Sequence, residues 1–199
     1  MECKITKKAT ELFLKLGFKS VTMDDIAQES GISKKTIYQH FKNKTELIQS
    51  CVDDSMKTVA INISEVKTKG LNAVQEQLEI RNVILAQLKN EKTSPHLQLQ
   101  RYYPGIYKIT RTKHFELVYA SVSQNLQKGI GEGLYRKELD LDIITRMHFI
   151  CAIELKNQDI FPSENYSVRD LMNIYIENYL RSIVTPKGLE ILEQHLHNQ

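Results

Sequence analysis

The chain has 199 residues, 41% of them hydrophobic and 26% charged. That suits one ordinary globular domain or two small ones and excludes a disordered or collagen-like chain. The net charge is only +3, but residues 1–50 hold nine lysines against six acidic residues while the rest balances, so the excess sits in the first quarter, and a basic head on a neutral body points to a polyanion. No run approaches about 18 consecutive apolar residues, so no transmembrane helix is expected. The start, MECKITKKATELF, carries a charge every few positions where a secretory signal would carry an apolar core. Cys3, Cys51 and Cys151 lie far apart in odd number, a poor disulfide framework that fits a reducing, cytoplasmic setting.

Helical periodicity dominates, and the alternation of a strand is missing. The expected fold is all-α, with nine or ten helices. The first helix spans about Lys4 to Leu16, with Ile5, Ala9, Leu12, Phe13 and Leu16 as its apolar stripe and Gly17 as its stop. Thr22 caps a second, short helix that holds Asp24 and Asp25 in its first turn, where negative charge suits the helix dipole. Gly31 ends that helix, Ser33 caps a third over Lys34 to about Phe41, and Asn43 caps a fourth that reaches about Lys69. Further helices are expected at about 72–90, from Ser94-Pro95, and from about Lys113 to Gly131 after a break at Pro104-Gly105. Asp140 or Asp142 caps a helix to about Asn157, Ser167 with Asp170 makes a capping-box-like start for one to about Val184, and Thr185-Pro186 opens a last short helix.

Thr22 to Phe41 reads as a helix–turn–helix, with small Ala27 where the two helices cross. An ordinary αα-corner has the same outline. Three features favour DNA: Ser33, Lys34, Lys35 and Thr36 at the start of the second helix, the polar trio Tyr38, Gln39 and His40 further along it, and Lys42 and Lys44 flanking the next helix.

The run GFKSVTMDDIAQESGISKKTIYQHFKNKTELI, residues 17–48, resembles the N-terminal domain of the TetR/AcrR family of transcriptional regulators. Gly17, Phe18, Thr22, Ile26, Ala27, Gly31, Ser33, Thr36, Ile37, Tyr38, Phe41, Lys44 and Leu47 stand at the family's spacing. Residues 131–142 and 179–188 resemble the helix-7 to helix-8 junction and the end of helix 9, although Ser182 often reads as glycine there. The resemblance implies a helix–turn–helix DNA-binding domain over 1–48 and a helical ligand-binding and dimerisation domain over 49–199. It implies a homodimeric repressor that a small molecule releases from a near-palindromic operator. On this basis Thr22, Ser33, Tyr38, His40 and Lys44 match phosphate-contact positions, and Lys34, Lys35, Thr36 and Gln39 are the base-reading candidates. Helices at about 142–157 and 168–184 would pair with their copies in the partner, with Leu171, Ile174, Tyr175, Asn178 and Tyr179 in the interface. Gln87, Tyr102, Tyr103, Tyr119, Gln124, Asn125 and His148 interrupt apolar stretches and are candidates for an effector pocket; each is otherwise an ordinary core or surface group.

Enzyme motifs are missing: there is no glycine-rich phosphate loop, no G-x-S-x-G and no H-E-x-x-H. His195 and His197 read as solvated tail residues, so neither a metal nor a cofactor is expected. The competing reading is a helical protein that binds a small molecule or a partner, without productive DNA binding.

Overall fold

The computed structural model describes residues 1–88 and 95–197. It is all-helical, with ten helices among the described residues: α1 (Glu2–Leu16), α2 (Met23–Ser30), α3 (Lys34–His40), α4 (Lys44–Lys67), α5 (Ala73–Leu88), α6 (Pro95–Tyr102), α7 (Pro104–Gly131), α8 (Leu141–Glu154), α9 (Val168–Ile183) and α10 (Pro186–His197). The chain divides into two compact units, Met1–Val59 with Gln87–Lys113, and Ala60–Ala86 with His114–Gln199. Helices α4, α5 and α7 contribute to both. Ser94, expected at the start of α6, lies outside the described residues.

The first unit is built on a continuous apolar core. Ile5, Ala9 and Phe13 of α1, Ile26 and Ala27 of α2, Ile37 of α3, and Leu47, Ile48 and Cys51 of α4 are all buried in it. Leu99 of α6 and Ile106 of α7 belong to the same core. Phe18 ties them in: its ring packs on Phe13 with centroids 5.2 Å apart and edge-on against Tyr103 at 6.3 Å. Its backbone N–H donates to Gln98 Oε1 at 2.7 Å. Gly17 makes this approach possible. Its φ is +89°, and a Cβ there would lie 2.8 Å from the Gln98 amide, so any other residue is strained and obstructed at once.

The second unit centres on Leu78, Leu126, Leu134, Tyr135, Leu180, Ile183 and Leu192, none more than 2% exposed. A polar knot crosses it. Asn125 Nδ2 donates to Ala73 O at 3.0 Å and Glu76 Oε1 at 2.9 Å, Tyr135 OH donates to Asn125 Oδ1 at 3.0 Å, and Lys128 Nζ meets Glu76 Oε2 at 2.6 Å. Buried polar groups are tolerable when partnered in this way.

Three local expectations are corrected. Leu16 belongs to the apolar stripe by angle but is 51% exposed, because it closes α1 and the core positions beyond it pass to Gly17 and Phe18. Pro104 opens α7, about nine residues before the expected start, since proline suits a first helical position. Ser167 precedes α9, but its hydroxyl makes no cap bond, and Arg169 and Asp170 of the first turn are exposed.

Candidate nucleic-acid interface

Local capping fixes the head. Thr22 Oγ1 accepts from Asp25 N at 3.1 Å, while Asp25 Oδ2 accepts from Thr22 N and Thr22 Oγ1, both at 2.8 Å. This is a closed capping box, and those bonds hold the Asp25 carboxyl below the usual carboxylate range. Gly31, at φ 65° and ψ 36°, ends α2 in the left-handed region that glycine adopts without cost. Ser33 Oγ then accepts from Thr36 N at 3.0 Å and starts α3. Asn43 Oδ1 accepts from Glu46 N at 2.9 Å, and Glu46 returns to Lys42 N at 2.6 Å to start α4.

Ile37 has none of its surface exposed, so α3 is seated by that residue and by Phe41 just after it. Lys34, Lys35, Tyr38, Gln39 and His40 consequently lie exposed, and Thr22 and Ser33 are exposed at the two helix starts. Thr36 is half-buried, with its hydroxyl 2.8 Å from Ser33 Oγ. Lys44 is half-buried, its Nζ donating to Lys19 O at 3.4 Å, and burial lowers its pKa. The sequence-expected residues of the head thus share one local structure.

Lys34 is not a solitary cation. Its Nζ sits 2.7 Å from Asp24 Oδ2, and that hydrogen bond raises the lysine's pKa. Sequence reasoning gave Asp24 only a helix-dipole role. The pair depends on how α2 packs on α3, which no local pattern in the sequence announces.

The effector candidates are spread over both units. Gln87, Tyr102 and Tyr103 belong to the first, where Tyr103 packs against the head core. Tyr102 is exposed, with Lys19 Nζ 5.0 Å from its ring centroid. In the second unit Tyr119 OH donates to Asp142 Oδ1 at 2.8 Å, Gln124 accepts from Lys67, and Asn125 is committed to the polar knot. His148 is buried, its Nδ1 3.0 Å from Tyr175 OH and its ring stacked edge-on at 4.6 Å from Tyr179. Desolvation pushes its pKa down to about 4.

On α9, Met172, Ile176, Tyr179, Leu180 and Ile183 face the core. Leu171 and Tyr175 are half-buried, and Ile174 and Asn178 are exposed. On α8, Ile143, Met147 and Ile150 are 53%, 55% and 56% exposed at a spacing of four and three, one face of a helix. Among the described residues no group of three or more His, Cys, Asp or Glu side chains could hold a metal, and no helix is long and apolar enough to cross a membrane.

Residues 5–51 match the family model of bacterial regulatory proteins, tetR family. An HTH-type transcriptional regulator of Bacillus subtilis, YerO, is 30% identical over 155 residues, which cover 72% of this chain and 51% of that protein. The chain thus spans about half the length of that relative. The HTH-type transcriptional repressor KstR2 of Mycolicibacterium smegmatis is 20% identical over 72% of this chain and 71% of its own length. Among solved structures, the regulatory protein TetR from Rhodobacter sphaeroides superposes with a TM-score of 0.76 at 14% identity, over 92% of this chain and 98% of that one. All three bear the names of regulators rather than enzymes.

Proposed function

We propose that this chain, whose residues 5–51 match the family model of bacterial regulatory proteins, tetR family, is a member of that family and a sequence-specific DNA-binding repressor, homodimeric and responsive to a small molecule, acting in the cytoplasm. Residues 1–48 are the proposed DNA-binding domain and 49–199 the ligand-binding and dimerisation domain. The observation that carries the reading is the exposed face of α3. Buried Ile37 presents Lys34, Lys35, Tyr38, Gln39 and His40 together, and these side chains suit phosphate oxygens and base edges. Thr22, Ser33, Tyr38, His40 and Lys44 take the phosphate role in this reading, and Lys34, Lys35, Thr36 and Gln39 the base-reading role.

The apolar face of Ile143, Met147 and Ile150 on α8 and Ile174 on α9 supports a second copy as partner, since such side chains are poor surface residues in a monomer. An effector acts by binding the DNA-released state more tightly than the DNA-bound one; no other property is required of it. Tyr119 and His148 are the proposed effector-facing residues of the second unit.

The test is titration of a labelled random-sequence duplex at two salt concentrations. Released counterions make affinity fall steeply with salt, by roughly 0.9 in log–log slope for each phosphate neutralised. Affinity that is absent, or indifferent to salt, contradicts the reading.

A further inference from the structure

We propose that Asp24 is a positioning residue for DNA reading, which holds the Lys34 ammonium away from the phosphate backbone and presents it to a base edge. The proposal rests on the DNA-binding reading above.

Two adjacent carboxylates open α2, and they are used differently. Asp25 closes the capping box, both of its hydrogen bonds being to Thr22. Asp24 takes no part in that cap. Its Oδ2 accepts instead from Nζ of Lys34, the first residue of α3, at 2.7 Å, with side chains 69% and 46% exposed. An ion pair this exposed contributes little to folding, so its consequence is to be sought in binding.

Lysine is a compact charge on a flexible four-carbon stem. Left unrestrained beside a duplex, it is drawn to the phosphates, which take most protein–DNA hydrogen bonds. The Asp24 carboxylate changes that in two ways. It makes the Lys34 site neutral overall and sets a negative charge beside it, so a phosphate gains little there. It also occupies one of the ammonium's three donors, leaving two. Guanine presents two acceptors in the major groove, O6 and N7, and carries no net charge to repel the carboxylate. The pair is therefore suited to a base edge and unsuited to the backbone.

The test compares the native protein with D24N, D24E, K34Q and the D24N/K34Q double variant. The probes are a random-sequence duplex and the duplexes that the native protein enriches from a random library. D24N is expected to steepen the log-affinity against log-salt slope by about 0.9 per protomer, because the freed lysine takes a phosphate. It should bind the random duplex about 3- to 10-fold more tightly. It should also lose about 5-fold or more of the discrimination at one base pair per half-site, the same base pair at which K34Q loses it. D24E restores both properties, and in the K34Q background D24N changes neither. The proposal is overturned if D24N leaves slope and discrimination as in the native protein, or if it lowers discrimination at base pairs that K34Q does not affect. If none of the five proteins binds either duplex with a dependence on salt, the DNA-binding reading itself falls, and the proposal with it.

Discussion

Ile37 is wholly buried while Tyr38, beside it in α3, is 45% exposed, and the two separate stability from binding. Ile37→Ala removes core volume and should cost about 2–5 kcal/mol, seen as a lower midpoint in denaturant, with DNA affinity lost only as the head unfolds. Tyr38→Phe should leave that midpoint in place and weaken binding to every duplex alike, because a phosphate contact carries no sequence information. Equal affinity of Tyr38→Phe and native protein on all duplexes tested would remove the tyrosine from the interface. His148 gives a separate test in the second unit. Its pKa is about 4 in the fold against 6.5 as the ordinary value, so between these pH values the unfolded chain binds more protons. The neutral imidazole's stabilisation is therefore complete above about pH 6.5 and declines as pH falls toward 4, by about 3 kcal/mol in all. His148→Gln should flatten that part of the stability–pH curve; an unchanged curve would show that His148 does not titrate there.

At the scale of elements, what the sequence announces and what it conceals have different physical origins. Helices α1 to α4 were readable because their boundaries are local. Gly17 and Gly31 stop helices, and Thr22, Ser33 and Asn43 cap them, each through groups a few residues away. The outward set on α3 follows from periodicity with Ile37 facing inward. The start of α7 was hidden because Pro104-Gly105 resembles a break, although proline also begins helices. Contacts between distant elements leave no local pattern. The Asp24–Lys34 pair needs the packing of α2 on α3, and the Phe18–Gln98 bond joins residues eighty positions apart. That bond belongs to the head core, to which α6 and the start of α7 contribute Leu99 and Ile106. Gln98→Ala leaves the Phe18 N–H without its acceptor at a cost of about 1–3 kcal/mol, whereas Gln98→Glu keeps an acceptor oxygen. Amide exchange at Phe18 should quicken in the first variant and stay protected in the second. Equal exchange in both would mean that the side chain does not hold this turn.

For the whole molecule, the proposed function requires a basic head joined to a helical body that pairs with its copy. Ile150→Asp puts a charge on the exposed apolar face of α8. In the proposed dimer that charge would be buried without a partner, a costly arrangement. Light scattering should report a dimer for the native chain and a shift toward monomer for this variant at micromolar concentration, with helical content unchanged. An Ile150→Asp protein that remains dimeric would assign the interface elsewhere. The proposed dimer would also dictate the shape of the target: two recognition helices related by a two-fold axis would read two half-sites about one turn of DNA apart or slightly more. The most direct measurement is selection of bound duplexes from a random library at two salt concentrations. The account predicts enrichment of a near-palindromic sequence at both, with far less DNA retained at the higher salt. Recovery of unenriched, random duplex from native protein stripped of any bound small molecule would contradict it.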